Sequence, residues 1–104
     1  MYKLYFYVPE ENLERVKETL LQAGAGAIGN YKMCAWQTKG IGQFLPGDRS
    51  DPHLGERGQV EKLEEFKVEM VVEDSLKQTV IDTLRKAHPY EEPAYGLIRI
   101  HTKK

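Results

Sequence analysis

Two kinds of hydrophobic pattern alternate along the chain, and their order constrains the fold more strongly than any other feature. Apolar residues at every second position from Tyr2 to Val8 predict a strand with one buried face. Pro9 ends this strand and suits the first turn of a helix, where its missing N–H leaves no helical hydrogen bond unmade. A helical spacing of leucine and valine then runs from Leu13 to Leu20, and Gly24 suits the position just after a helix.

Three further strands and a second helix are predicted in the rest of the chain. The strands cover residues 31–38, 60–72 and 94–101. A loop over residues 39–58, with five glycines and two prolines, separates the first two of these strands. Asp74 is predicted to cap the N-terminus of the second helix. This helix should end at His88, because the residue before Pro89 is disfavoured in the α conformation.

The resulting order, β-α-β-β-α-β, predicts the α+β class and a ferredoxin-like sandwich. Short right-handed connections place the four strands in one antiparallel sheet with both helices on one face. The 104 residues suit a single domain, 1–104. The other sheet face would be bare in a monomer, so aromatic residues on it predict that another subunit covers it. The residues predicted for this face are Tyr5, Tyr7, Tyr95 and Leu97.

Charge and cysteine content limit the kinds of partner. The formal net charge is −1 and lysine and arginine are spread along the chain, so neither nucleic acid nor a membrane is an expected partner. Cys34 is the single cysteine, which rules out an internal disulfide and fits a reducing compartment. No signal peptide or membrane span is recognisable, so the expected location is cytoplasmic. Lys103 and Lys104 are expected to form only a short tail.

Several motifs, taken together and in this order, resemble the middle domain of the Nif-three-like proteins (NGG-one-interacting factor three). They are AGAGAIGNY at residues 23–31, Cys34, GIGQFLPG at residues 40–47, the stretch from Pro52 to Gly58, and AHPYEEPAY at residues 87–95. In that family the domain is inserted between two halves that build a two-metal centre. The resemblance implies a stand-alone copy of the inserted domain, without the halves that carry the family's chemistry and without enzymatic activity of its own.

Two features are also similar to the PII-like and CutA-like proteins, which share the ferredoxin-like core and form compact trimers. The HPYE-P run follows the second helix as in CutA-like proteins, and the 39–58 loop lies where PII-like proteins carry a regulatory loop. This resemblance implies a homotrimeric regulatory or ligand-binding module with its ligand in subunit clefts. Two alternatives stay open: a CutA-like protein that handles a divalent metal, and a docking partner of a separate metal-dependent hydrolase.

The HPYEEP segment, residues 88–93, has two interpretations. As a structural joint, its two prolines stiffen the chain, the ring of Tyr90 is buried, and His88 bonds the last carbonyls of the helix. As a site, it binds a ligand or partner through His88, Tyr90, Glu91 and Glu92. Imidazole and carboxylate groups also suit zinc or another divalent ion, and the candidate metal ligands are His88, Glu91, Glu92 and Cys34. At most one glutamate is expected to join His88, because neighbouring side chains point to opposite sides of an extended segment.

The 39–58 loop is longer than a hairpin connection without a function usually is. It is expected either to fold onto its own domain or a neighbouring subunit, or to bind a partner or ligand and be mobile when empty. Its candidate binding residues are Gly40, Gly42 and Phe44, and the glycine-rich connector adds Asn30.

Overall fold

The structure, a computed structural model, describes residues 1–102, so the predicted tail of Lys103 and Lys104 lies outside the described residues. The elements are β1 (Tyr2–Pro9), α1 (Glu10–Gln22), β2 (Trp36–Phe44), β3 (Glu61–Val72), α2 (Lys77–Ala87) and β4 (Tyr95–Arg99). Their order is the predicted one. Within residues 1–102, neither α-helix is long and apolar enough to cross a membrane.

The four strands form one antiparallel sheet in the order β2-β3-β1-β4. Alternate side chains of β1 and β3 are buried beneath the helices: Leu4, Phe6, Val8, Val68, Met70 and Val72. The helices bury against them Leu13, Val16, Leu20, Val80 and Leu84. Each large apolar side chain contributes roughly 1.5–3 kcal/mol relative to full exposure. The predicted sandwich, with both helices on one face, is confirmed.

The second strand differs from its predicted range of 31–38. β2 runs instead through the glycine-rich GIGQF segment and pairs in continuous register with residues 61–69 of β3. Cross-strand pairing overrides the low strand propensity of glycine. Gly42 leaves space here for the carboxylate of Glu65, because a Cβ atom on it would lie 1.7 Å from that carboxylate and the Glu65 side chain would have to move. The predicted loop over 39–44 is therefore wrong, and the connection between β2 and β3 spans residues 45–60.

Asp74 does not cap α2, contrary to the prediction. A short 3-10 turn, Asp74–Leu76, precedes the helix, and no side-chain cap hydrogen bond is made at its start. The Asp74 carboxylate instead binds the N-terminal amine of Met1 and, at 3.1 Å, the guanidinium of Arg99. The bond to the amine, followed by the bond to Arg99, lowers the pKa of Asp74. The other end of α2 is as predicted, with His88 as its C-cap residue.

The sheet face without helices carries both aromatic and aliphatic side chains. The strand register places Tyr5 and Tyr7 in its centre, and Trp36 and Ile98 towards its two edges. Trp36 is 68% exposed and Ile98 is 54% exposed. Gly96 leaves room for the Tyr5 ring, since a Cβ atom on Gly96 would lie 2.4 Å from the Tyr5 hydroxyl. We refer to this surface as the bare face.

Tyr95 and Leu97 are not on the bare face, so that prediction is wrong. They pair with Phe6 and Leu4 of β1 and pack against the buried core beneath the helices. Successive side chains of a strand alternate between faces, so Gly96 and Ile98 take the bare side instead. β4 is also shorter than the predicted 94–101.

Candidate functional site

A groove of about 430 Å³ lies where the connection between α2 and β4 meets the connection between β2 and β3. We call the first connection, residues 88–94, the corner, and the second, residues 45–60, the loop. The apolar walls of the groove include Phe44, Leu45, Pro52 and Leu54. Its polar lining includes Ser50, His53, Glu65, Tyr90, Glu91 and Glu92.

The inner side of the corner is held by His88, which is 5% exposed. Its Nε2 donates to the carbonyl oxygen of Tyr7 on β1 at 2.6 Å, and its Nδ1 accepts from the backbone N–H of Tyr90 at 3.1 Å. Both bonds require the neutral ring with its proton on Nε2. Burial lowers the pKa of His88, although the bond to Tyr7 opposes this effect. His88 is thus part of a joint, but it bonds β1 and not the last carbonyls of the helix.

Tyr90 forms the wall between the joint and the groove. Its ring centroid lies 4.8 Å from that of His88 and 6.2 Å from that of Phe44. Its hydroxyl donates a hydrogen bond of 2.9 Å to Glu65 on β3. Burial, reinforced by this bond to a carboxylate, raises the pKa of Tyr90, so the phenol stays neutral. Tyr90 therefore links the corner to the strands beneath it.

Glu91 ties the loop to the corner. Its carboxylate accepts a hydrogen bond of 2.7 Å from the backbone N–H of Asp51. The loop thus packs against its own chain, as one of the two interpretations of this segment has it. The corner is bent and not extended, so Glu91 and Glu92 both line the groove instead of pointing to opposite sides.

The structure brings together most, but not all, of the predicted binding residues. Gly42, Phe44, Tyr90, Glu91 and Glu92 line the groove. Gly40 lines an adjoining depression, and His88 lies behind the Tyr90 wall. Asn30 is exposed in a turn of the connector between α1 and β2, outside the groove lining.

The four candidate metal ligands do not converge. Both ring nitrogens of His88 are bonded to backbone groups, and neither glutamate of the corner is bonded to it. Cys34 lines a separate depression beside Ile28 and Trp36. Within residues 1–102, no group of three or more histidine, cysteine, aspartate or glutamate side chains is placed to hold a metal ion. The divalent metal stays a prediction.

Sequence reasoning missed Tyr7 and Glu65, which lie on β1 and β3 at the base of the groove. The position of Glu65 depends on the register between β2 and β3, which the sequence does not specify directly. One signal could have suggested it. Gly40 and Gly42 fall on the same face of a strand, and glycine in a strand interior often marks the close approach of another group.

The groove continues onto the bare face of the sheet. A depression of about 350 Å³ adjoins it there, and Tyr7, Gly42 and Glu65 line both. The residues that line the groove include three glutamates and neither lysine nor arginine. Its electrostatic character is therefore negative.

Comparison with known proteins places this chain beside a segment of larger proteins. No protein-family model matches the chain. It is 44% identical over 97 residues to a GTP cyclohydrolase 1 type 2 homolog of Halalkalibacterium halodurans. The aligned residues make up 93% of this chain and 26% of that protein. The chain thus spans about a quarter of the length of the curated relatives it matches.

Solved structures agree with both resemblances. A Bacillus cereus protein related to NIF3 matches with a TM-score of 0.82 and 38% identity, over 97% of this chain and 26% of that one. CutA1 from Pyrococcus horikoshii matches with a TM-score of 0.73 and 20% identity, over 100% of this chain and 87% of that one. Because its identity is only 20%, the second match shows similarity of the fold alone. The predicted resemblance to Nif-three-like proteins and the CutA-like fold are confirmed.

Proposed function

We propose that this chain, which matches a segment of NIF3-related proteins and has a CutA-like fold, is a non-enzymatic regulatory module that binds a small ligand in the groove. The observation that carries the proposal is the convergence of the predicted binding residues. Gly42 and Phe44 come from β2, and Tyr90, Glu91 and Glu92 come from the corner, yet all five line one cavity.

The size and chemistry of the groove support ligand binding. Cavities that bind small molecules usually measure about 300–1,000 Å³ and combine apolar walls with a few polar groups. The groove has about 430 Å³, with Phe44, Leu45 and Leu54 among its apolar walls. Its carboxylates and hydroxyls are few and lie at separate positions. This arrangement suits orientation of a ligand.

The protonation states support binding over acid–base catalysis. A general acid or base works best when its pKa lies near the working pH. The pKa of Tyr90 is raised by burial and by its bond to Glu65, and His88 is committed to two backbone groups. These two groups stabilise the wall of the groove, and proton transfer by either would disrupt it.

The proposal includes a homotrimer whose subunits cover the bare face, as the resemblance to trimeric proteins implies. Trp36 and Ile98 expose apolar surface there, and two-layer sandwiches leave one sheet face without cover. The groove and the depression on the bare face share Tyr7, Gly42 and Glu65. A neighbouring subunit on this face would therefore close one side of the groove.

A fragment screen by NMR tests the ligand site. We expect small compounds to shift the backbone amides of Gly42, Tyr90 and Glu92 in the ¹⁵N-labelled protein. The Phe44→Ser variant removes an apolar wall and should abolish these shifts. Ile41→Ser is the matched control. Ile41 is 77% exposed on the same strand and, although it lines the adjoining depression, the strand register places it on the opposite side of the sheet from Phe44. Binding elsewhere, or binding that survives Phe44→Ser, would contradict the proposed site.

Light scattering coupled to size-exclusion chromatography tests the assembly. We expect the mass of three chains for the wild type and of one chain for Ile98→Glu, since a carboxylate on the bare face would be desolvated by the neighbouring subunit. Ile41→Glu should keep the wild-type mass, because the strand register places Ile41 on the opposite side of the sheet. A wild-type monomer at all concentrations would rule out the trimer.

A further inference from the structure

We infer that the groove selects an organic cation, namely a guanidinium or ammonium group carried on an apolar stem. This inference rests on the proposed function, because it names the class of ligand for that groove. It follows from the charge, the wall chemistry and the spacing of the acidic groups.

The charge of the groove has one sign. Glu65 enters from β3, and Glu91 and Glu92 enter from the corner. Within the part of the chain that the structure describes, none of the three carboxylates forms a salt bridge. Lys39 and Lys67 line the adjoining depression, where Lys39 pairs with Glu64 at 3.2 Å and Lys67 lies over the Tyr5 ring. The lining of the groove itself therefore presents three carboxylates to a ligand and neither lysine nor arginine.

The walls add a second preference. Phe44 and Tyr90 present aromatic rings with centroids 6.2 Å apart, and Tyr7 adds a third ring at the base. Aromatic faces attract cations and pack against the methylene stems that carry them. Leu45, Pro52 and Leu54 extend the apolar surface. The groove thus suits a ligand that is both cationic and partly apolar, which describes alkyl guanidinium and ammonium compounds.

The spacing of the carboxylates argues against a bare metal ion. Calcium and magnesium take six or more converging oxygen ligands, and zinc takes four ligands at about 2 Å. Among residues 1–102, no group of three or more histidine, cysteine, aspartate or glutamate side chains is placed to hold a metal ion. Here Glu65 accepts from the Tyr90 hydroxyl and Glu91 accepts from the Asp51 N–H. We therefore expect the carboxylate of Glu92 to contact the ligand directly. A nucleotide is also disfavoured, since its phosphates would face these carboxylates.

An NMR titration with two isosteric probes tests the inference. The probes are arginine amide and citrulline amide with their α-amino groups acetylated, so that the first carries a guanidinium group as its only charge and the second carries a neutral urea group of nearly the same shape. We expect arginine amide to give saturable shifts at Gly42, Tyr90 and Glu92, and citrulline amide to bind at least about tenfold more weakly. Glu92→Gln should weaken arginine amide binding about fivefold or more, whereas Glu73→Gln, an exposed change outside the groove, should leave it unchanged.

The outcomes separate this inference from the proposed function. Equal binding of the two probes, or groove shifts caused only by neutral or anionic compounds, would overturn the cation preference while the groove remained a ligand site. No groove shift with any compound would overturn both. Weaker binding of arginine amide at high salt is expected, because salt screens the attraction to partly exposed carboxylates.

Discussion

The two sides of the corner differ sharply in how their polar groups are used. On the inner side, His88 is buried and both of its ring nitrogens are bonded to backbone groups. On the outer side, Glu91 and Glu92 are exposed, and their carboxylates keep acceptor sites open to the groove. Six consecutive residues, HPYEEP, therefore contain a structural joint and a candidate binding surface, with Tyr90 as the wall between them.

This contrast teaches that joint and site need not be alternatives. A rigid joint fixes the positions of the groups on its other side. Groups whose positions are already fixed lose less conformational entropy when a ligand binds. If the two sides are distinct, changes to His88 should alter stability, and changes to the glutamates should alter binding with little effect on stability.

The largest expected effect is that of His88→Ala. It leaves the carbonyl of Tyr7 and the N–H of Tyr90 without their partners and opens a cavity, so we expect a loss of roughly 2–4 kcal/mol in the free energy of unfolding. His53→Ala, an exposed change on the groove side, should cost less than about 0.5 kcal/mol. Urea denaturation measures both. Equal losses in the two variants would show that His88 contributes no more to stability than an exposed histidine.

Low pH should reduce the contribution of His88 to the free energy of unfolding. The folded-state pKa of His88 lies below its ordinary value of 6.5, mainly because of burial, so the unfolded chain binds a proton more readily. The contribution of neutral His88 is present above pH 6.5 and is lost as the pH falls through the folded-state pKa. We expect the stability advantage of the wild type over His88→Gln to shrink between pH 7.5 and pH 5. An advantage that is unchanged with pH would contradict this role.

Tyr90→Phe probes the wall between the two sides. The ring stays in place against His88 and Phe44, but the hydrogen bond to Glu65 is lost. We expect a loss of about 1 kcal/mol in the free energy of unfolding, which is typical for one hydrogen bond. A loss as large as that of His88→Ala, measured in the same denaturant series, would mean that the two sides are not energetically separate.

Glu91→Ala should have the smallest global effect. The bond to the Asp51 N–H lies at the surface, so we expect a change in unfolding free energy below about 0.5 kcal/mol. Locally, the Asp51 amide should exchange its hydrogen faster, because the loop is less firmly tied to the corner. Glu92→Ala, which removes no such bond, is the control. Unchanged exchange at Asp51 would indicate that the tether does not order the loop.

The sequence predicts the sheet and its helices well because their signals are local. The alternation of β1 and the helical spacing of α1 each lie within one segment, and the structure confirms both. Three errors share one cause, which is that distant partners decide the local outcome. β2 is set by pairing with β3, Asp74 is taken by the N-terminus and Arg99, and the register with β1 turns Tyr95 inward.

The candidate site was predictable in part for the same reason. The corner residues stand together in the sequence, so Tyr90, Glu91 and Glu92 could be proposed as a group. Glu65 reaches the groove only because β3 passes beneath the corner and Gly42 leaves space for its carboxylate. Such a contribution needs the strand register, which periodicity alone does not supply.

A native mass spectrum of the purified, untagged chain tests most directly whether the outer side of the corner is a ligand site at a subunit boundary. It reports the number of subunits and any retained ligand in one measurement. We expect the mass of three chains with an additional bound mass that Phe44→Ser loses and Ile41→Ser keeps. A bare monomer would contradict this, and would leave the corner as a structural joint alone.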